Sequence, residues 1–278
     1  MRRYVFDGGT AVITGAASGI GAALARGLAD RGSHLVLLDR DGEGVAAVAE
    51  SICATLPQLH IATYVVDLAD LDATARIGET LATTHPETTL LVNNAGVALA
   101  GRFDQVDAAQ FDAVMAVNFH AVVTMTRALL PVLTTHPGSH VVALSSIFGI
   151  VAPPGQTAYC ASKFAVRGFL ESLRGELAPA GVGVTCVHPG GVRTNIARNA
   201  VVGARLPAAQ WEAGRESFDK LLTLDPADAA ATILRAVHRR RPRVLVGRDA
   251  VVLDKLARLL PVGNGRLLAA ATRKAARH

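Results

Sequence analysis

Apolar residues along this chain fall into short unbroken runs. Between them lie longer stretches in which apolar positions recur every three or four residues. Seven runs have the first character: 10–14 (TAVIT), 34–39 (HLVLLD), 60–67 (HIATYVVD), 89–93 (TLLVN), 140–145 (HVVALS), 182–187 (VGVTCV) and 243–247 (RVLVG). Continuous rather than alternating apolarity marks strands covered on both faces. The intervening segments 19–31, 43–55, 70–84, 107–135, 157–178 and 226–240 read as helices. Strands and helices in alternation predict an α/β fold, a doubly wound parallel seven-stranded sheet with right-handed crossovers.

No internal repeat or low-complexity linker divides the chain, so residues 1–247 read as one domain. Residues 191–225 have no clear strand and follow a strand end. Ligands bind beyond the carboxyl ends of strands in such sheets, so this segment is expected to be a substrate lid. Residues 248–278 read as a C-terminal extension of one or two basic amphipathic helices.

Composition narrows the class. The chain has 278 residues, 50% of them hydrophobic, enough for a substantial core. The start, MRRYVFDGG, has no signal-peptide pattern, and no single apolar run reaches the roughly 18 residues of a membrane span. Cys53, Cys160 and Cys186 are scattered and form no CxxC pair, which suits a reduced, cytoplasmic protein. Residues 239–278 hold eleven Lys/Arg against Asp249 and Asp254, a charge of +9, which leaves −4 for the remainder of a chain carrying +5. That tail is either a solvated helix face or a contact for an anionic partner: a membrane surface or an acidic neighbouring subunit. Aromatic residues do not interleave with the charge, so no nucleic-acid partner is expected. No His/Cys/Asp cluster has metal-ligand spacing and no serine sits in a GxSxG elbow, so neither metal nor Ser–His chemistry is expected.

The first strand runs into TGAASGIG (14–21), which places Gly15, Ser18, Gly19, Ile20 and Gly21 at a strand–turn–helix junction. Glycines let the backbone approach a pyrophosphate, and the helix start offers free N–H groups and a positive dipole end. Asp39 closes the second strand, 18 residues past Gly21. Its carboxylate can accept both ribose hydroxyls and would repel a 2′-phosphate, which favours NAD; Arg40 beside it leaves NADP as the alternative. Asp67 ends the third strand, with Leu68 after it, and can accept from an adenine amine. NNAG ends the fourth strand with Asn94, Ala95 and Gly96.

Downstream, TAYCASKFAV (157–166) sets Tyr159 and Lys163 four residues apart, on one face of a helix. A free phenol titrates near 10. A cation about 4 Å away at an effective dielectric near 20 is worth about 4 kcal/mol, roughly three pKa units. Lys163, with a positive nicotinamide ring, is therefore expected to bring Tyr159 toward neutral pH, where an acid/base works best. ALSSIFG (143–149) ends the fifth strand with Ser145 and Ser146.

Over residues 8–247 these motifs, in this order, resemble the short-chain dehydrogenase/reductases in their compact form, which have a Rossmann fold. TGAASGIG resembles the family's cofactor loop and YCASK its YxxxK. VNF (117–119) supplies Asn118 where the family keeps an asparagine. Ser146, 13 residues before Tyr159, has the family's spacing. HPGGVRT (188–194) is similar to the stretch that contacts nicotinamide and includes Pro189, Gly190, Val192 and Thr194. The resemblance implies an NAD(P)-dependent oxidoreductase acting on a small-molecule alcohol or carbonyl. Tyr159 would exchange the proton and Ser146 would hydrogen-bond the substrate oxygen. Lys163 would hold the nicotinamide ribose and depress the tyrosine pKa. Asn118 would position a water leading from Lys163 to solvent, and Thr194 and the Val192 backbone would hold the carboxamide. The family commonly forms dimers or tetramers through helices that here would be 107–135 and 157–178. Apolar candidates around the pocket, Val97, Leu99, Ile147 and Phe148 among them, suggest a hydrophobic secondary alcohol or ketone; Arg193 and Arg198 argue the other way. His188 reads as structural. The alternative is a non-catalytic dinucleotide sensor.

Overall fold

A computed structural model describes residues 3–265. From the N-terminus the elements are β1 (Thr10–Thr14), α1 (Gly19–Ala29), β2 (His34–Asp39), α2 (Gly42–Cys53), β3 (Ile61–Val65), α3 (Leu71–Thr84) and β4 (Thr88–Asn93). A two-residue strand β5 (Leu99–Ala100) precedes α4 (Ala108–Met115), a π-turn at Ala116–His120 and α5 (Ala121–Thr135). The second half holds β6 (His140–Leu144), α6 (Thr157–Leu177), β7 (Gly183–Pro189), β8 (Val201–Val202), α7 (Ala208–Asp219), α8 (Pro226–His238), β9 (Arg243–Val246) and α9 (Arg248–Leu259).

The main sheet has seven parallel strands in the order β3-β2-β1-β4-β6-β7-β9. The order reverses at β1, which pairs with β2 on one side and β4 on the other. The crevice outside such a reversal is where an open α/β sheet takes its ligand. Alternate residues of β1 enter different cores, as a period of two demands. Ala11 and Ile13 join Leu24 and Leu28 of α1, Val45 of α2, and Ile233 and Leu234 of α8. Val12 joins Leu81 of α3, Met125, Leu129 and Leu133 of α5, and Leu170 of α6. Both faces are covered, which explains the unbroken apolar strand runs.

Aspartates start four helices. The side chains of Asp41, Asp70, Asp107 and Asp225 accept from the N–H groups of Gly44, Ala73, Gln110 and Ala227. Such a cap is worth about 1 kcal/mol.

The structure adds to the sequence expectations in four places. The expected helix 107–135 runs continuously over Ala108–Thr135 but carries a π-turn around Asn118. The stretch Ala108–Thr135 is also long and apolar enough to cross a membrane by length and composition, with a mean hydropathy of 1.4 over 18 of its residues. In the fold its apolar side lies on the sheet. Within 191–225 there is a helix, α7, and a short strand, β8, paired with β5. The extension does not begin at a break: α9 follows β9 after Gly247 and packs Ala250, Leu253 and Ala257 on Ile147, Val151 and Leu245. Residues 266–278 of the extension lie outside the described residues.

Candidate active site

The β1–α1 turn is held by β4. The Thr14 hydroxyl accepts from the backbone N–H groups of Asn94 (3.0 Å) and Ala95 (3.1 Å). Asn94 Nδ2 donates to the carbonyls of Thr14 and Gly15, each at 2.9 Å. The side chain of Asn94 therefore fastens the loop rather than pointing away from it. Gly15 and Gly19 have φ of +68° and +54°, a region L side chains rarely adopt. A Cβ on Gly21 would overlap the Gly15 carbonyl, and one on Gly19 would come within 2.9 Å of the Thr194 methyl. At the start of α1, Ser18 makes no side-chain cap bond, so its first-turn N–H groups have no side-chain acceptor. Such a bare, glycine-lined helix start fits an anionic pyrophosphate.

Asp39, at the end of β2, ties the same loop. Its Oδ2 accepts from Ala17 N–H at 2.9 Å and its Oδ1 from Asp41 N–H at 3.1 Å. A carboxylate has about four acceptor positions, so two remain for a ribose diol. Arg40 beside it is exposed. Asp67 is exposed and caps its own turn through Ala69 N–H at 2.9 Å, while Leu68 is buried against the second core.

Beyond β6, Ser145 and Ser146 diverge. Ser145 Oγ donates to the Lys163 carbonyl at 2.8 Å and so braces α6. Ser146 starts the short turn Ile147–Gly149, and its Oγ accepts from Phe148 N–H at 3.0 Å. The Phe148 ring meets the Tyr159 ring edge-on, 6.2 Å between centroids. Lys163 is buried and its Nζ donates to the Leu144 carbonyl at 2.9 Å, 5.6 Å from the Tyr159 ring centroid. Gly96 makes room for it: a Cβ there would stand 3.2 Å from Lys163 Nζ and from Asn118 Oδ1. Asn118, in the π-turn, exchanges two bonds with the Val97 backbone (2.8 and 2.9 Å) and donates to Ser162 Oγ at 3.0 Å. Its side-chain amide is thus engaged by protein on both its oxygen and its nitrogen.

The expected fall in the Tyr159 pKa counts a nicotinamide charge as well as Lys163, and Lys163 alone does not produce it. Burial pushes its phenol up to about 12, with the nearby Ser146 hydroxyl pulling the other way. Burial also pushes Lys163 down to about 8. The ammonium stands 5.6 Å from the ring centroid and bonds the Leu144 carbonyl at 2.9 Å, and burial outweighs its field on the phenol. A tyrosine near neutrality is therefore not built into the protein side chains alone.

The segment 189–194 closes over the loop. Thr194 faces Gly19, Val192 is buried and bridges Leu224, and Gly190 N–H donates to the Val246 carbonyl at 2.8 Å. Gly191 N–H donates to Asp249 Oδ2 at 2.7 Å. Asp249 and Thr14 both carry the site's architecture, and the sequence reading passed over both. Thr14 could have been found as the hydroxyl that immediately precedes the glycine turn. Asp249 has no local signal, because its partner is 58 residues away. His188 is fully buried, with Nδ1 3.0 Å from the Ser146 carbonyl. Burial lowers its pKa to about 4, so it is neutral at pH 7. Among the described residues no group of three or more His, Cys, Asp or Glu could hold a metal.

The sheet reversal, glycine turn and Tyr159–Lys163 helix occur together in a known group, and the family model described as short chain dehydrogenase matches residues 9–203. The chain belongs to the short-chain dehydrogenase family. Membership makes it an NAD(P)-dependent oxidoreductase. It is 40% identical over 278 residues to the putative oxidoreductase SadH of Mycobacterium tuberculosis, covering 97% of each chain. Among solved structures it resembles a short-chain dehydrogenase/reductase from Burkholderia phymatum in complex with NAD, with a TM-score of 0.82 and 28% identity, covering 93% of this chain and 95% of that one. A metagenomic short-chain oxidoreductase in complex with NADP matches with a TM-score of 0.71 and 31% identity, covering 87% of this chain and 98% of that one. Within this short-chain dehydrogenase, the glycine turn, Asp39 and the 189–194 segment frame one crevice, and Ser146, Tyr159 and Lys163 adjoin it.

Proposed function

We propose that the protein oxidises or reduces a hydrophobic secondary alcohol/ketone pair with NAD as its preferred cofactor. The observation that carries this reading is the cluster of Ser146, Tyr159 and a buried Lys163 beside the glycine turn. The same cluster weighs against the non-catalytic sensor, which has no use for a buried lysine beside a phenol. Gly15, Ser18, Gly19, Ile20 and Gly21 would cradle the pyrophosphate and Asp39 the adenosine ribose. Asp67, Leu68, Asn94, Ala95 and Gly96 would line the adenine and ribose side. Pro189, Gly190, Val192 and Thr194 would hold the nicotinamide end. The cofactor, when bound, supplies or takes up the hydride.

The chain's own residues handle the oxygen and its proton. Ser146 donates to the substrate oxygen and fixes its distance from Tyr159. A phenol held protonated is ready to give its proton to an oxygen that gains negative charge during reduction. For oxidation Tyr159 takes that proton instead, and a lysine titrating near 8 stands where it can pass charge onward. Asn118, through its main chain, would lead that proton to water. Asp39 supports NAD because its charge stands where a 2′-phosphate would sit; exposed Arg40 keeps NADP as the weaker alternative. Arg193 pairs with Asp225 at 2.9 Å on the surface, which supports an uncharged substrate, while exposed Arg198 argues the other way. Residues 191–225 serve as the lid, pinned at Val192–Leu224 and at β5–β8. The three unpaired cysteines support a cytoplasmic location. Assembly as a homodimer or homotetramer would use the exposed sides of α5 and α6.

The test is absorbance at 340 nm with hydrophobic secondary alcohols and ketones, NAD and NADP in parallel, and Tyr159→Phe as the blank. Turnover by the wild type and none by the blank supports the assignment. Equal turnover by both removes Tyr159 from the chemistry.

A further inference from the structure

The surface past β9 is built unlike the rest. One side of α9, with Ala250, Leu253, Asp254 and Ala257, is turned onto the domain. Helical spacing puts Arg248, Val252, Lys255 and Leu259 on the opposite side, flanked by Val251 and Arg258. Val252 is 63% exposed, Leu259 79% and Val262 90%. Five of the eleven exposed large apolar side chains among the described residues lie within 251–262: Val251, Val252, Leu259, Leu260 and Val262. Patches of this kind mark interaction sites, whereas single exposed aliphatics do not.

The acids of this segment do not share that face. Asp249 accepts from Gly191 N–H at 2.7 Å, and Asp254 is buried between Arg243 (2.5 Å) and Arg258 (2.9 Å). Apart from Asp249, which is exposed but bonded to Gly191, what points outward is aliphatic and cationic. The sequence from 260 to 278 adds Arg266, Arg273, Lys274 and Arg277 and no acid.

We propose that the segment beginning at Arg248 docks the protein on an anionic lipid surface. The aliphatic side chains enter the headgroup boundary while Arg248 and Lys255 pair with lipid phosphates. Charge selects this occupant over a second copy, because a two-fold contact would set the same cations against each other. It also selects it over nucleic acid, which would leave five aliphatic side chains against phosphate and no aromatic to stack on a base. The docking face is separate from the crevice, so its loss leaves turnover of a soluble substrate unchanged.

Purified full-length protein is centrifuged with mixed phosphatidylglycerol–phosphatidylcholine vesicles and with phosphatidylcholine vesicles alone. The protein is expected to pellet with the anionic vesicles, less so as salt rises, and to stay in solution with the neutral ones. Val252→Asp/Leu259→Asp, and separately Lys255→Glu, should each lower the bound fraction about tenfold or more at low salt. Circular dichroism and turnover verify that both variants are folded. Wild type that remains soluble with anionic vesicles overturns the proposal, as do equal pelleting on neutral vesicles or unchanged binding by the variants. A double variant that loses oligomeric mass in light scattering without losing vesicle binding assigns the face to a second copy instead.

Discussion

Lys163 Nζ donates to the Leu144 carbonyl at 2.9 Å, so the last carbonyl of β6 holds the lysine over the ring of Tyr159. Strand end and helix are locked by this bond and by Ser145 on the Lys163 carbonyl. The two groups that would exchange a proton are therefore placed by the sheet rather than by a loop. Tyr159→Phe is expected to lower kcat/KM at least about a hundredfold while leaving cofactor affinity within about twofold, because only the proton donor is lost. Steady-state kinetics with fluorescence titration of the reduced cofactor measures both. Retained turnover, or lost cofactor binding, contradicts the role.

Gly96 stands where any side chain would press on Lys163 and Asn118. Gly96→Ala should displace the ammonium from the Leu144 carbonyl and lower kcat about tenfold or more, with thermal stability reduced by about 1 kcal/mol. Gly19→Ala strains a positive φ and crowds Thr194, so it should instead raise the cofactor Kd. The split between kcat at one glycine and Kd at the other is the informative readout; identical effects on both parameters would argue against two distinct roles.

The proposed preference for NAD rests on Asp39. Asp39→Ala removes the charge that would repel a 2′-phosphate and leaves Arg40 alone beside the ribose site. The ratio of kcat/KM for NAD over NADP is expected to fall about tenfold or more, one charge contact's worth. The variant also loses bonds to Ala17 and Asp41, so the absolute values for both cofactors should drop. An unchanged ratio removes the residue from discrimination.

The strand order and the two-sided core were legible in the sequence because both depend on local pattern. Runs such as HLVLLD are apolar at every position only when helices cover both faces. The glycine turn was equally legible, since strand, turn and helix adjoin. What escaped was non-local. β5 and β8 are two residues each and pair across 102 positions, too short for any periodicity. α7 has no buried residue, so no apolar stripe announced it. The π-turn depends on how Asn118 reaches the Val97 backbone, a contact between segments. The tyrosine's surroundings were hidden for the same reason: spacing gave the pair a shared helix face, but not the burial that raises the phenol or the carbonyl that takes the ammonium.

Two buried histidines set the acid limit. Burial lowers His188 to about 4 and His140 to about 3, from an ordinary 6.5. Both stay neutral in the folded protein while the unfolded chain takes up protons below pH 6.5. Stability is therefore full above 6.5 and is lost as pH falls toward 4 and 3. A shift of the His188 size corresponds to about 3 kcal/mol at the acid end. Tm should fall steeply between pH 6.5 and 4, and less steeply in His188→Asn, which no longer has an imidazole to charge. A variant as acid-sensitive as the wild type would remove His188 as a cause. At the alkaline end Lys163 adds stability as pH rises from 8 to about 10.5, while Tyr159 subtracts it from 10 to 12.

Asp249 joins the C-terminal helix to the segment that would hold the nicotinamide. Its Oδ2 takes the Gly191 N–H at 2.7 Å, and its carboxylate fills the space where Cβ atoms on Gly190 and Gly247 would lie. Gly191 in turn accepts from the N–H groups of Thr223 and Leu224, each at 3.0 Å. One carboxylate thus fixes the point from which the 191–225 segment leaves the sheet and to which it returns. Asp249→Asn keeps an oxygen acceptor of the same shape and should retain at least about half the wild-type kcat/KM. Asp249→Ala leaves the solvent-accessible Gly191 N–H without its protein partner, which costs about 1 kcal/mol locally. Because that loss falls on the lid's hinge, KM for cofactor and substrate should rise about tenfold while global Tm drops by only a few degrees. Hydrogen exchange of the amides from 190 to 224 reads the same loosening directly. Rescue by asparagine but not by alanine identifies a positioning residue; equal defects in both variants would show that charge at Asp249, rather than its bond to Gly191, is what the site requires.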